Sequence, residues 1–516
     1  MTQNVAVEMK NISKSFGAIK ANEDVNFTVN YGEVHALLGE NGAGKSTLMN
    51  MLSGIYRPDS GSIFVHNKEV HFSSPKDPIK IGVGMIHQHF KLIEIFNARE
   101  NIILGTEGKN FLNKKSLNAE IEAISGKYGL DISWDKKVYD MSVGEKQTLE
   151  IIKVLFRGAD ILILDEPTAV LTPQEIERLF VIIQNMKEAG CAVIIITHKL
   201  NEVMAISDKV TVLRKGKTID TLITKETNIK ELTEKMVGKS IDLSIIKPDV
   251  ATGNELLQIK SLTIKNSEGF YGLKNVSFNL KGGEILGVAG VAGSGQRELC
   301  ETIAGLTKAE SGSIIFDNDE ILGKTPKDII KLGIRMGFIP EDRLGMGLVG
   351  SMDIVHNLIL KDYQLQPGIF LKRKHIYKKA EEIVEKLEID TPGVNYPVRK
   401  LSGGNIQKVL LGREIQSNPR VLITAYPVRG LDIGASYKIY DLLNNQKKRG
   451  AGVLFVGEDL DVLLELCDRI LVLCGGQVMG IVNSNQATKD EIGLMMTGNR
   501  TIAEEVKIDD ANIPKE

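Results

Sequence analysis

One half of this chain is an altered copy of the other, and that repeat is the strongest constraint on its fold. "GENGAGKSTL" from Gly39 returns as "GVAGSGQREL" from Gly290, "SGSI" from Ser60 returns at Ser311, and "MSVGEKQ" from Met141 returns as "LSGGNIQ" from Leu401. A period near half of a 516-residue chain is too long for a solenoid and suits a duplicated domain, each copy large enough for its own core. The copies are expected at about residues 1–238 and 253–497. Between them, residues 239–252 carry Pro, Gly and polar residues without a period and read as a linker, and residues 498–516 read as a short, frayed acidic tail.

Within each copy short apolar runs bounded by Gly, Asp or Thr, such as "GEVHALLG", "DILILD" and "AVIIIT", alternate with helical patterns such as "PQEIERLFVIIQNMKEAG". That alternation predicts an α/β fold with a mostly parallel sheet, whose ligands gather at the carboxyl ends of the strands. The longest apolar runs fall far short of the ~18 residues of a membrane span. A formal net charge of -2 gives no electrostatic basis for a nucleic-acid partner. The four cysteines form no CxxC pair and read as reduced core residues of a cytoplasmic protein.

The first copy carries a phosphate site. Residues 39–46, "GENGAGKS", fit GxxxxGK[ST], follow a predicted strand and precede the helical "STLMNMLSG". Glycines at Gly39, Gly42 and Gly44 let backbone N–H groups curl around phosphate oxygens, and the helix N-terminus adds its dipole. Lys45 is placed to bridge the β- and γ-phosphates and Ser46 to hold Mg²⁺. The strand "ILILD" ends in Asp165, suited to the metal shell, and Glu166 follows, suited to polarising an attacking water. His87 and His89 lack a third ligand at metal spacing.

These spaced motifs resemble those of ATP-binding-cassette (ABC) ATPases, and the resemblance covers nearly the whole chain twice over. It implies two tandem P-loop cassettes with ATP and Mg²⁺ as cofactors, each with a parallel sheet core, an antiparallel β part and a helical subdomain, which in the first copy spans roughly residues 90–139. It also implies roles by position. Gln88 in "GMIHQHF" matches the Q-loop glutamine, which senses the γ-phosphate or metal, and His198 in "IIITHKL" matches the switch histidine. Phe16 matches the aromatic that stacks on adenine, with a core Phe as the competing reading, and Asn41 and Thr47 join the phosphate loop.

The second copy departs from this pattern. Gln296 stands for Lys45, Arg297 for Ser46, Glu341 for Gln88, Ala425 for Asp165, Tyr426 for Glu166 and Glu458 for His198. Gly290, Gly293 and Gly295 keep a backbone cradle, but the set does not organise Mg·ATP for hydrolysis. The signature loops show the reverse. Ser402, Gly403 and Gly404 keep the family's small residues, whereas after Ser142 the first copy has Val143 in place of Gly and Glu145 in place of a neutral amide. Bulk and negative charge both oppose close phosphate contact. If the copies pack head to tail as a pseudo-dimer, as in the family, the intact P-loop meets the intact signature, with Asp432 beside it. The losses then collect in one degenerate site, to which Ser142 also falls.

The whole chain resembles the tandem-cassette ATPases of bacterial importers for monosaccharides and nucleosides. "GMIHQHFKLIEIFNARENIILG" and "GFIPEDRLGMGLVGSMDIVHNLIL" favour the nucleoside, basic-membrane-lipoprotein-linked branch. That implies a peripheral protein on the cytoplasmic face of the membrane, working with two integral-membrane permease subunits and, indirectly, a solute-binding lipoprotein. A monosaccharide importer is the alternative. A soluble ribosome-binding tandem cassette is a further one, whose best foothold here is the basic "LKRKHIYKK".

Overall fold

The computed structural model describes residues 5–17, 19–87, 90–105, 114–169, 171–238, 243–265, 269–331, 336–361, 363 and 373–499. Gln88, His89 and the tail from residue 500 lie outside the described residues. The chain divides into two compact units, Met1–Asp242 and Leu243–Glu516.

In the first unit a six-stranded sheet runs in the order Lys217–Ile223, Lys209–Arg214, Val34–Leu38, Ala192–Thr197, Ile161–Asp165, Val83–Ile86. Its strands pair in parallel except for the hairpin that adds Lys217–Ile223 at one edge. The central strands are almost wholly apolar and buried, as a parallel sheet covered on both faces demands. Alternation sorts their side chains to two cores. Ile161, Ile163, Ala192, Ile194 and Ile196 pack with Leu48, Met51 and Phe27. Leu162, Leu164, Val193 and Ile195 face the opposite way, onto Ile102, Leu149, Ile152 and Ile183.

The first of these cores is capped by a separate antiparallel sheet of four strands, in the order Ile19–Asn30, Val5–Phe16, Ser60–Val65, Lys68–Val70. The second is covered by helices Ala98–Ile103, Lys114–Tyr128, Val143–Phe156 and Pro173–Glu188. The last begins with Thr172 as N-cap, Pro173 at the first helical position and Glu175 closing a capping box.

The second unit repeats the plan. Its six-stranded sheet runs Met336–Ile339, Val421–Ala425, Gly452–Val456, Ile285–Ala289, Arg469–Cys474, Gln477–Asn483, beside a four-stranded antiparallel sheet. The described part of the predicted linker belongs to this unit. Ile245 packs against its core, Asn444 Nδ2 donates to the Ile246 carbonyl at 3.2 Å, and Lys247 Nζ donates to the Cys467 carbonyl at 2.5 Å and Ser484 Oγ at 2.9 Å. Cys191, Cys300 and Cys467 are buried free thiols, and Cys474 is half-buried. Among the described residues no helix is long and apolar enough to cross a membrane.

Candidate active site

Three neighbouring strands of the first unit deliver the site. Leu38 lies beside Thr197 and Asp165 beside Ile196, so the loops after the strands of the phosphate loop, of Asp165 and of His198 leave the sheet at one level. The phosphate loop turns into helix Lys45–Leu52 through Gly42 (φ 81°) and Gly44 (φ 99°), a backbone region that L side chains rarely adopt. A Cβ on Gly44 would sit 2.4 Å from the Ala21 carbonyl oxygen, so space as well as torsion fixes glycine there. Asn41 and Ser46 are exposed at the loop, and Thr47 is half-buried behind it.

Lys45 is buried, and its Nζ donates to the carbonyls of Gly39 at 2.6 Å and Glu40 at 3.0 Å. The ammonium thus bridges the inside of its own loop. Burial lowers its pKa, and the nearby charges of Glu166 and Asp165 oppose that shift. Asp165 is pushed up to about 6, first by burial and then by the charge of Glu166, with Lys45 acting against both. Two carboxylates act on one ammonium, and the excess negative charge on Asp165 is the donor chemistry of a hard divalent cation.

Glu166 is held differently. It sits at φ 45°, its N–H donates to the Ile196 carbonyl at 2.9 Å, and its Oε1 lies 2.9 Å from His198 Nδ1. That hydrogen bond is the main reason its pKa falls below the ordinary carboxylate value, against the opposing effect of burial. Adjacent acids are thereby driven apart: one holds a proton until near neutrality, while the other ionises readily.

The signature loops differ in ways that Val143 and Glu145 alone do not convey. Ser142 caps helix Val143–Phe156, and Glu145 closes the box by accepting from the Ser142 N–H at 2.7 Å while pairing with Lys136. Glu175 then reaches the same helix start, accepting from the Gly144 N–H at 3.2 Å and Ser142 Oγ at 3.3 Å. Two of the chain's own carboxylates thus occupy donors that an anion would need. In the second unit Ser402 caps helix Gly403–Gln416, Asn405 stands for Glu145 and Ala435 for Glu175, and Ser402 and Gly403 are exposed. Glu175 lies in no motif, but its place three residues after the cap at Thr172 was a visible sign of a capping box.

The second unit keeps the backbone of the site without its chemistry. Gly293 and Gly295 adopt φ 85° and 101°, and Tyr426 adopts φ 50°, each within a few degrees of Gly42, Gly44 and Glu166. The Tyr426 N–H donates to the Val456 carbonyl at 3.0 Å, matching the bond made by Glu166. Gln296 is buried and donates to the Val291 carbonyl at 3.2 Å, in place of one of the Lys45 bonds. A Cβ on Gly290 would meet Gln296 Nε2 at 2.5 Å, so the amide fills the space beside that glycine. Burial raises the Tyr426 phenol well above its ordinary pKa, so it is neutral and cannot replace a carboxylate.

Burial and capping describe two further positions. Phe16 is exposed at the end of its strand, edge-on to Tyr56 with centroids 5.2 Å apart, so it is not a core residue. Asp432 caps helix Ile433–Lys448 by accepting from the Ala435 N–H at 2.7 Å, the same service that Thr172 gives its own helix.

The ABC transporter family matches the chain twice, over residues 22–169 and 273–427. The chain is 45% identical over 499 residues to the guanosine import ATP-binding protein NupO of Bacillus subtilis, covering 96% of this chain and 97% of that protein. It is 43% identical to the nucleoside import ATP-binding protein NupA of Lactococcus lactis, covering 96% and 99%. It is 37% identical to the ribose import ATP-binding protein RbsA of Bacillus licheniformis, covering 96% and 100%.

Proposed function

The chain belongs to the ABC transporter family as a tandem import ATP-binding subunit, and on that premise we propose that it hydrolyses ATP at one site to drive nucleoside import. The observation that carries the catalytic part is the cluster of Lys45, Asp165, Glu166 and His198 at neighbouring strand ends, with Glu166 oriented by His198 at 2.9 Å. Identities of 45% and 43% to guanosine and nucleoside import proteins, against 37% to a ribose import protein, favour the nucleoside branch over the sugar branch.

In this reading the phosphate loop wraps the ATP phosphates with its N–H groups, and Lys45 supplies the bridging charge. Phe16, exposed at the end of its strand and edge-on to Tyr56, stacks on the adenine. Asp165, Ser46 and Gln88 would hold Mg²⁺, which when bound would neutralise charge on the phosphates. The ionised Glu166 orients the attacking water and accepts its proton, and His198 fixes the carboxylate that does so. The Ser402, Gly403 and Gly404 loop, with Asp432, serves the same nucleotide when the cassettes close. This pairing is carried by the sequence pattern and by the carboxylates that fill the other signature loop. Gly290, Gly293, Gly295, Gln296 and Ser142 fall to the degenerate site.

An importer ATPase must also grip its permeases. A groove of about 350 Å³ lies between the strand Val83–Ile86 and the helical part of the first unit, lined by Ile79, His87, Lys91, Leu104, Lys153 and Val154. His87 in its lining precedes Gln88 in sequence, so a permease segment seated there would be coupled through that segment to changes at the nucleotide. On this proposal the chain works at the cytoplasmic face of the membrane with two integral-membrane permease subunits and, indirectly, a solute-binding lipoprotein. The test is uptake of labelled guanosine and labelled galactose by cells carrying this chain or its Glu166→Gln variant. Glu166-dependent guanosine uptake that ignores galactose supports the proposal, and Glu166-dependent galactose uptake moves the protein to the sugar branch.

A further inference from the structure

The second unit replaces more than the residues that would hold a metal ion. Arg429 stands where the first unit has Ala169, three residues after Tyr426 as Ala169 is three after Glu166. The backbone at the two positions is the same: the Arg429 N–H donates to the Tyr426 carbonyl at 3.2 Å, and the Ala169 N–H to the Glu166 carbonyl at 3.3 Å. The new side chain reaches back over the site. Its Nη1 pairs with Glu341, its Nε lies 3.3 Å from Glu458, and its guanidinium stands 5.9 Å from the centre of the Tyr426 ring.

Those contacts join the counterparts of three motif residues. Glu341 occupies the place of Gln88, Glu458 that of His198, and Tyr426 that of Glu166. At the corresponding positions the first unit has one cation, Lys45, and two acids, Asp165 and Glu166. The second has two cations, Arg297 and Arg429, and two acids, Glu341 and Glu458. The first set is left with an excess negative charge, which a divalent cation would satisfy. In the second set Arg429 lies directly on both acids. The metal donors are also absent there, since Ala425 replaces Asp165, and Arg297, in place of Ser46, is tied to Glu301 at 2.6 Å. A cavity of about 300 Å³ beside Tyr426 is lined in part by Arg297, Glu301, Glu341, Asp342 and Ala425, so there is room for an ion at this site.

We propose that the Arg429 guanidinium is the second cassette's built-in cation, filling an acidic site formed by Glu341 and Glu458 so that this cassette takes no divalent ion. The inference deepens the one-site reading of the chain and rests on it. A metal-bound nucleotide would link the Q-loop and switch positions of the first cassette only while it is bound. Arg429 links the corresponding positions of the second cassette permanently, with a planar fork that suits two carboxylates at once. The same fork lies near an aromatic face, a favourable place for a cation. The arrangement is half-exposed, so its effect is on what the site can bind rather than on how firmly the unit is folded.

The test is Mn²⁺ binding to the full chain without nucleotide, read from the loss of the free-ion EPR signal. Asp165→Asn identifies any ion held by the first cassette, so a failure of that site is seen separately from the behaviour of Arg429. Arg429→Ala restores the residue of the first copy and is expected to add one Mn²⁺ per chain, with a Kd at least tenfold below any residual binding in the parent. Adding Glu341→Gln to Arg429→Ala should abolish the extra ion, and Arg429→Lys, which keeps the charge, should add none. Unchanged binding in Arg429→Ala, an extra ion in Arg429→Lys, or an extra ion that survives Glu341→Gln would each overturn the proposal.

Discussion

Asp165→Asn should make the first cassette more stable at pH 8 while removing its activity. Burial and the charge of Glu166 raise the Asp165 pKa to about 6, against an ordinary value of 3.8. The folded unit therefore binds the Asp165 proton more tightly than the unfolded chain does, and stability falls as pH rises between about 4 and 6. Above that window the penalty is full. The gap corresponds to about 3 kcal/mol, and partial solvent exposure reduces it to about 2 kcal/mol. An asparagine never ionises and escapes this cost. Denaturant unfolding of the full chain in EDTA, at pH 5 and pH 8, measures it on the transition of the first unit. The expected gain is about 2 kcal/mol at pH 8, shrinking to about 1 kcal/mol at pH 5. Destabilisation at pH 8, or an equal effect at both pH values, would show that Asp165 is not a carboxylate held against its own charge.

Three other perturbations follow from the same geometry. Lys45→Ala removes a buried ammonium aimed at its own loop, and the loss of about 2 kcal/mol of charge-assisted contact should weaken ATP binding about thirtyfold in a titration with a fluorescent nucleotide. Gly44→Ala forces a Cβ to 2.4 Å from the Ala21 carbonyl at φ 99°, and should cost the first unit about 2 kcal/mol or more in thermal unfolding. Glu175→Ala opens the box at Thr172 and frees the Gly144 N–H. It should destabilise that unit by about 1 kcal/mol, with ATP turnover staying within about twofold of the parent.

The repeat and the phosphate loop were legible because each rests on a local pattern. Gly42 and Gly44 announce a left-handed turn wherever they stand, and the apolar runs that end at Leu38, Asp165 and Thr197 leave a buried parallel sheet as their natural home. What stayed hidden depends on partners distant in sequence. Arg429 meets Glu341 and Glu458, and Glu175 meets the start of a helix some thirty residues earlier; no motif joins those positions. The linker read as free chain because its few apolar residues show no period, yet Ile245 and Lys247 find their contacts on the core and surface of the second unit. The left-handed backbone at Tyr426 had no sign at all in its side chain. Only the fold shows that the second copy kept the strained turn after losing the carboxylate it once presented.

The central claim is that one cassette hydrolyses ATP and the other does not, and ATPase activity of the assembled transporter carrying Glu166→Gln or Tyr426→Phe tests it most directly. The two residues share the same backbone turn, so the variants differ in chemistry alone. Glu166→Gln should lower kcat by about a hundredfold or more while still binding ATP, and Tyr426→Phe should leave turnover nearly unchanged. Equal loss in both variants would contradict the account.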